Sequence, residues 1–268
     1  MMRIDSTMEL RTGRSMPVLG LGTWQLDDDT AGTVEGALDL GYRMIDTSGD
    51  YGTQPGIGEA LRRTDVDRRE IYLVTKVEED EDAYEATVRN LSELGLEYAD
   101  LMLIHRPPRT GPGRELWEGL IRARDEGLAL DIGVSNYSTE QIDELIRATD
   151  ETPAVNQIEW SPFGWSREML DFCAHRGIVI QAYSPLTRGR RLDSERLRSV
   201  AAGHGRTPAQ VLLRWSIQRG TAPLPKANRR DHLVENLEAL DFELDADDLD
   251  VLNSLNEQYS SLGSLPYV

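Results

Sequence analysis

Lysine is almost missing from this chain: there are two, Lys76 and Lys226, against 27 arginines (29 basic residues less 2). An ammonium is a compact charge whose pKa responds to its surroundings, whereas a guanidinium stays charged, so two lysines kept among so many arginines mark places where arginine will not serve. Cysteine is reduced to Cys173, which excludes an intramolecular disulfide. With no basic group placed to activate it, Cys173 is expected to be a small core residue of a helix around 171–175. No apolar run approaches the ~18 residues that span a membrane. The first ten residues carry Asp5 and Glu9 and lack the apolar segment of a secretion signal, so a cytoplasmic location is expected. Positive charge is also short. A net charge of −18 repels nucleic acid. Joined to the scarcity of lysine, it predicts an acidic coat suited to high salt, where screening relieves self-repulsion.

Turns rich in glycine and proline are frequent, and between them lie short apolar runs that finish on an ionisable residue. Ile71, Tyr72, Leu73, Val74 and Thr75 lead to Lys76; Met44 and Ile45 lead to Asp46; Leu101, Met102, Leu103 and Ile104 lead to His105. Continuous apolar runs separated by helix-length amphipathic stretches predict parallel strands buried on both faces, joined by crossover helices. Candidate strands lie at 18–23, 42–46, 71–76, 101–105, 132–135, 154–159, 178–182 and 221–225, and candidate helices at 83–94, 115–126, 140–148 and 208–218. The last helix should open with Thr207 as N-cap and Pro208 in its first turn. Eight such strands close into a (β/α)8 TIM barrel, whose chemistry sits at the carboxyl ends of the strands. Residues 8–20 read as an N-terminal β-hairpin turning at Thr12, Gly13 and Arg14. The 268 residues contain no linker or internal repeat, so 1–268 is expected to be one domain.

Two partial motifs mislead. Gly20, Leu21 and Gly22 begin a dinucleotide fingerprint, but its third glycine is absent; Gly133, Val134 and Ser135 begin a nucleophile elbow that also lacks its last glycine. His175, His204 and His232 have no ligand spacing, so no metal is expected.

Gly41 to Ser48, with Tyr51, Gly52, Gln54, Ile57 and Gly58, resembles the signature of the aldo-keto reductases. So do Thr75 and Lys76, Leu103 to His105, Gly133 to Asn136, Asn156 to Glu159, Ala182 to Leu186, and Pro225 to Asn236. The likeness is to prokaryotic members such as diketogluconate and methylglyoxal reductases, and it implies reduction of aldehydes or ketones by hydride from NADPH, with NADH as a second donor. The implied catalytic tetrad is Asp46, Tyr51, Lys76 and His105. Tyr51 would act as general acid, Lys76 would lower its pKa from ~10, Asp46 would orient the lysine, and His105 would polarise the substrate carbonyl. The resemblance assigns Ser135, Asn136 and Gln157 to the nicotinamide carboxamide and Tyr183 to its ring face. It assigns Ser184, Leu186 and Arg188 to the pyrophosphate, and Lys226, Arg229, His232, Glu235 and Asn236 to the adenosine end. Trp24 and Arg106 would line the substrate pocket.

Ala227 and His232 stand where relatives carry a hydroxyl and an arginine, which weakens the case for strict NADPH preference; Arg106 stands where they carry tryptophan. The expected partner is a small carbonyl compound, the expected state a monomer. A Schiff-base aldolase using Lys76 is one rival reading, and a catalytically weak redox-sensing or partner-binding family member is another. On the barrel mouth, Asp27, Asp28, Asp29 and the acidic run 78–82 should face the basic loops carrying Arg188, Arg190, Arg191, Arg229 and Arg230.

Overall fold

The computed structural model describes residues 2–26, 29–265 and 267. Two short antiparallel strands, β1 (Thr7–Glu9) and β2 (Ser15–Pro17), form the expected hairpin, pairing Met8 with Met16. Eight parallel strands follow: β3 (Leu21–Gly22), β4 (Met44–Asp46), β5 (Tyr72–Val77), β6 (Ala99–Ile104), β7 (Ala129–Ser135), β8 (Val155–Glu159), β9 (Val179–Tyr183) and β10 (Ala222–Leu224), each bonded to the next in sequence order. They form a nearly closed barrel wrapped by helices, the (β/α)8 architecture expected from the sequence.

The barrel closes along an asymmetric seam. Gly20 N–H donates to Pro223 O and Gly22 N–H to Pro225 O, each at 3.1 Å. The reciprocal donors are missing because Pro223 and Pro225 have no N–H, so this pairing carries bonds in one direction only. Close approach requires the glycines: a Cβ on Gly22 would lie 2.8 Å from Leu224 O, and one on Gly20 2.7 Å from Leu224 Cδ2. The two seam strands are accordingly shorter than the 18–23 and 221–225 runs predicted.

Each strand is followed by helical structure: α1 (Thr30–Asp39), α2 (Gln54–Arg63), α3 (Ala83–Leu94), α4 (Arg114–Asp125), α5 (Thr139–Thr149) and α6 (Arg167–Arg176) after β3 to β8. The pair α7 (Glu195–Gly203) and α8 (Pro208–Gln218) follows β9, and α9 (Arg230–Leu237) and α10 (Ala246–Asn253) follow β10. The expected cap on α8 is present as a reciprocal box: Thr207 Oγ1 accepts from Gln210 N–H at 3.2 Å and Gln210 Oε1 accepts from Thr207 N–H at 2.9 Å. Cys173 is buried in α6 against Met169, and burial pushes its thiol up to about 12, as suits a core residue. Among the described residues no helix is long and apolar enough to cross a membrane.

Leu10 and Met16 of the hairpin pack with Met44, Val74, Leu101, Leu103, Val155 and Leu224, stoppering the amino end of the barrel. A polar column rises from that stopper. Gln181 Nε2 reaches Met16 Sδ at 3.2 Å, Gln181 Oε1 accepts from Gln157 Nε2 at 2.9 Å, and Gln157 Nε2 also donates to Asp46 Oδ1 at 2.7 Å. The hairpin thus supports the carboxyl end of the barrel from beneath. Asp27 and Asp28 lie outside the described residues, while Asp29 caps α1 by accepting from Gly32 N–H at 2.8 Å.

Candidate active site

Asp46 ends β4 and Lys76 stands one residue from the end of β5, both pointing into the barrel mouth and both buried. Lys76 Nζ donates to Asp46 Oδ1 at 2.8 Å and to Thr47 O at 2.6 Å. An ammonium removed from water loses several kcal/mol of hydration, and it stays charged only where a counter-ion and further acceptors replace that shell. The surrounding helices fix the strand that carries it: Asn90 Nδ2 of α3 donates to Lys76 O at 2.8 Å, and the Thr75 hydroxyl donates to Gln54 Oε1 of α2 at 2.7 Å.

Tyr51 ends a 3-10 turn (Gly49–Tyr51), after which Gly52, at φ +70, reverses the chain into α2. Lys76 Nζ lies 4.9 Å from the centre of the Tyr51 ring, and the His105 ring meets that ring edge-on at 5.7 Å. Burial, followed by the charges of Asp46, Asp50 and Glu78, pushes the Tyr51 hydroxyl well above its usual value, with Arg106 opposing. The sequence reading expected Lys76 to pull it down. The ammonium is instead committed to Asp46 and Thr47, and burial, helped by the carboxylates, prevails, so Tyr51 is held as the neutral phenol with its proton in place.

His105 follows β6. Its Nδ1 lies 2.8 and 2.9 Å from the two carboxylate oxygens of Glu78, 3.3 Å from Ser48 Oγ and 3.6 Å from Asp50 Oδ1. Burial alone would raise the Glu78 carboxyl, but His105, Ser48 and Arg106 outweigh it and hold Glu78 below the usual carboxylate range. Arg106, half-exposed, spreads its guanidinium over Asp50 at 3.7 Å and Glu78 and Glu79 at 3.8 Å. Asp50, Glu78 and His105 bring three ligating atoms within 4.8 Å. Nδ1 of His105 and the Glu78 carboxylate are already bonded to each other, and Arg106 lies against Asp50 and Glu78.

The opposite wall comes from β7, β8 and β9. Asn136, in the left-handed region at φ +64, donates from Nδ2 to His105 O and Ser135 Oγ, both at 3.1 Å, and its Oδ1 accepts from the Tyr183 hydroxyl at 2.7 Å. Ser135 Oγ donates to Gln157 O at 2.7 Å, joining β7 to β8. After β9 the chain turns through Ser184, Thr187 and Arg188, all at positive φ, which folds the loop back over the cleft. There Lys226 Nζ donates to Gln25 O at 2.5 Å, Arg188 Nη2 lies 3.4 Å from Gln25 Oε1, and the Arg188 guanidinium sits 4.8 Å over the Trp24 ring.

These groups enclose a cleft of about 440 Å³. Trp24, Asp46, Tyr51, His105, Arg106, Ser135, Asn136, Gln157, Tyr183, Ser184, Leu186, Arg188 and Lys226 all line it. Lys76 lies just beneath the lining. Four expected residues are not part of this lining: Arg229 is bonded to Asp231 at 3.0 and 2.5 Å, His232 is exposed near the start of α9, Glu235 is half-buried, and Asn236 is buried.

Sequence reasoning missed Glu78, Asp50, Gln25 and the tail. Glu78 was submerged in the acidic run 78–82, yet alternation along β5 places residue 78 on the side of Lys76, and that signal was available. The tail is tied down by Glu159: Ser260 Oγ donates to Oε2 at 2.5 Å, while Ser261 N–H and Oγ donate to Oε1 at 2.7 and 2.5 Å, and Leu262 then reaches the cleft wall. No local pattern in the tail announces that attachment.

Two cations beside a folded-back loop, polar side chains on the opposite wall and a half-buried aromatic suit a nicotinamide dinucleotide. Independent likeness points the same way. The pattern described as Aldo/keto reductase family matches residues 18–257. The chain is similar to an aldo-keto reductase of Mycobacterium sp. (strain MCS), with 41% identity over 94% of this chain and 91% of that protein, and to the glyoxal reductase of Bacillus subtilis (strain 168), with 35% identity over 95% and 94%. Among solved structures it resembles the Bombyx mori aldo-keto reductase in complex with NADP, at a TM-score of 0.90 and 30% identity over 96% of this chain and 94% of that one.

Proposed function

The chain belongs to the aldo/keto reductase family, oxidoreductases that use nicotinamide cofactors on small carbonyl compounds, and from that premise we propose that it reduces aldehydes or ketones to alcohols with NADPH, NADH serving as a second donor. The observation that carries this reading is the meeting of Tyr51 and His105 at one cleft wall above the buried Asp46–Lys76 pair. Ser135, Asn136 and Gln157 would hold the nicotinamide carboxamide, and Tyr183 its ring. Ser184, Leu186, Arg188 and Lys226 would meet the phosphates, while Arg229, His232, Glu235 and Asn236 would serve the adenosine end. The bound cofactor supplies hydride to the carbonyl carbon.

The chain's own residues handle the oxygen. Tyr51, kept protonated by its surroundings, gives a proton to the developing alkoxide. The Lys76 ammonium beside the ring eases the phenolate that results, and Asp46 keeps that ammonium aimed. His105 contacts the carbonyl oxygen and orients it. Trp24 and Arg106 bound the substrate side. We read the protein as a single-domain, salt-adapted monomer.

The test is direct. A panel of aldehydes and ketones is offered with NADPH and the loss of its absorbance followed; saturable consumption with at least one substrate supports the reading, and none with any of them refutes it.

A further inference from the structure

The groups around Nδ1 of His105 are acceptors, or donate elsewhere. Glu78 presents both oxygens, at 2.8 and 2.9 Å, and Asp50 Oδ1 lies at 3.6 Å. The Ser48 hydroxyl, 3.3 Å away, gives its hydrogen to Glu78 Oε1 at 2.9 Å. A nitrogen set against two carboxylates cannot offer them a lone pair, so Nδ1 bears a hydrogen. When the ring holds one proton, that proton is on Nδ1, and Nε2 is a bare acceptor. Only a ring with two protons has an Nε2–H to give.

We propose that Glu78 is a positioning residue that fixes the tautomer of His105, so that this ring donates to a carbonyl oxygen only when it carries two protons. The inference rests on the carbonyl-reducing reading above and adds a proton switch to it. The doubly protonated ring serves reduction. The singly protonated ring, whose Nε2 accepts, serves the O–H of an alcohol in the reverse direction. In reduction the carbon takes the hydride, the C=O π pair takes a proton from Tyr51, and His105 polarises the oxygen while keeping both of its own protons.

Charge at the site agrees with this. The groups facing His105 are Glu78 from the loop after β5, Asp50 and Tyr51 from the turn after β4, and Arg106 beside it; Lys76 is engaged by Asp46. Arg106 is shared among three carboxylates. Three carboxylates against one guanidinium leave room for a positive charge, which an imidazolium supplies next to the substrate oxygen. Glu78 stays ionised while the ring changes its proton count, because its contacts hold it below the usual carboxylate range.

The chain has four histidines, so selective ¹⁵N labelling gives a readable spectrum, with His105→Asn assigning the resonance. Two-bond ¹H–¹⁵N correlation on the enzyme without cofactor should show the neutral His105 ring protonated at Nδ1; a neutral ring protonated at Nε2 overturns the proposal. In parallel, kcat/KM for an uncharged aldehyde is measured against pH. Above the pH at which the spectrum shows the second proton leaving, the rate should fall about tenfold per unit, the slope for loss of one required proton. Glu78→Gln offers an amide hydrogen to Nδ1, allows the other tautomer and should flatten that fall. A wild-type rate indifferent to the titration, or a fall in Glu78→Gln that only moves to lower pH, overturns it. Either result leaves carbonyl reduction itself standing, whereas a protein that reduces no carbonyl at any pH refutes the broader reading and leaves the tautomer to be decided by the spectrum.

Discussion

At the carboxyl mouth of the barrel the buried carboxylate of Asp46 accepts from Lys76 at 2.8 Å and from Gln157 at 2.7 Å, whereas on β7 Asp131, 1% exposed, has only the Thr12 side chain and a more distant arginine to offset its burial among the described residues. The nearest cation to Asp131 is Arg14 of the hairpin turn, 3.8 Å away and half-exposed. Burial raises the Asp131 pKa, Thr12 and Arg14 only partly offset it, and Asp100 adds to it. Two carboxylates on one barrel therefore meet different surroundings. At the mouth a network holds charge in place for chemistry; at the hairpin end the carboxylate leans toward its neutral form. Disturbing the first should appear in turnover, disturbing the second in stability alone.

The largest effect belongs to the mouth. Tyr51→Phe should abolish measurable reduction while cofactor affinity, followed by fluorescence titration, stays close to wild type; each ~1.4 kcal/mol of lost transition-state stabilisation is tenfold in rate. Near-native turnover in that variant would remove Tyr51 from its assigned role.

Lys76→Met comes next, because it leaves Asp46 buried and unpaired, a change that costs about 3–5 kcal/mol. Denaturant unfolding should show the loss, and adding Asp46→Asn in the same chain should restore much of the stability but none of the activity. An unchanged midpoint in the single variant would mean that the pair contributes nothing to the fold.

Asp131→Asn should sharpen the contrast with a smaller gain. The folded-state pKa of Asp131 is raised, so the folded chain holds this proton more firmly than the unfolded one. Its contribution to stability is complete below the unfolded value of ~3.9 and is lost as pH rises through the folded value. An asparagine cannot ionise, so the variant should melt higher than wild type at neutral pH, and the difference should vanish in acid. Turnover should be unchanged. A gain that persists in acid would show that packing, rather than charge, is responsible.

The smallest effect is expected at His232, which is exposed. Exposed ion pairs contribute ~0.2–1 kcal/mol, so His232→Arg should widen the preference for NADPH over NADH by at most about fivefold, less at high salt. An unchanged ratio from titrating both cofactors would mean that Arg229 and Lys226 already saturate recognition of the extra phosphate.

The barrel was legible because strands buried on both faces write themselves as unbroken apolar runs, and the ionisable residues that end three of them, Asp46, Lys76 and His105, come together at the mouth. The helices at 83–94 and 208–218 are present as read, since each carries its own cap. The seam strands were read too long, because glycine and proline allow the chain to pass closely without a full ladder. Glu78 and Asp50 escaped notice because their significance lies in contacts across β4, β5 and β6, and one-dimensional spacing does not say which acid in a run turns inward. For the same reason the environment of Tyr51 differs from the sequence expectation: the sequence shows a lysine nearby, but neither the burial that raises the hydroxyl nor how completely Asp46 engages the lysine.

The one-directional seam also bears on the order of assembly. It joins segments from near the two ends of the chain, Gly20 and Gly22 to Pro223 and Pro225, so its closure entropy is among the largest in the molecule and is met, among the described residues, by two backbone hydrogen bonds between these strands. The middle strands, whose partners are neighbours in sequence, form without that delay, and the cylinder should shut last. The native barrel should also open there first, and the amides of Gly20 and Gly22 should exchange with deuterium ahead of those in β5 and β6. Gln25 and Lys226 sit just beyond the two edges of this line, bonded to each other across it. The same breathing that makes the seam the barrel's last step in folding would widen the cleft at the wall where the cations stand.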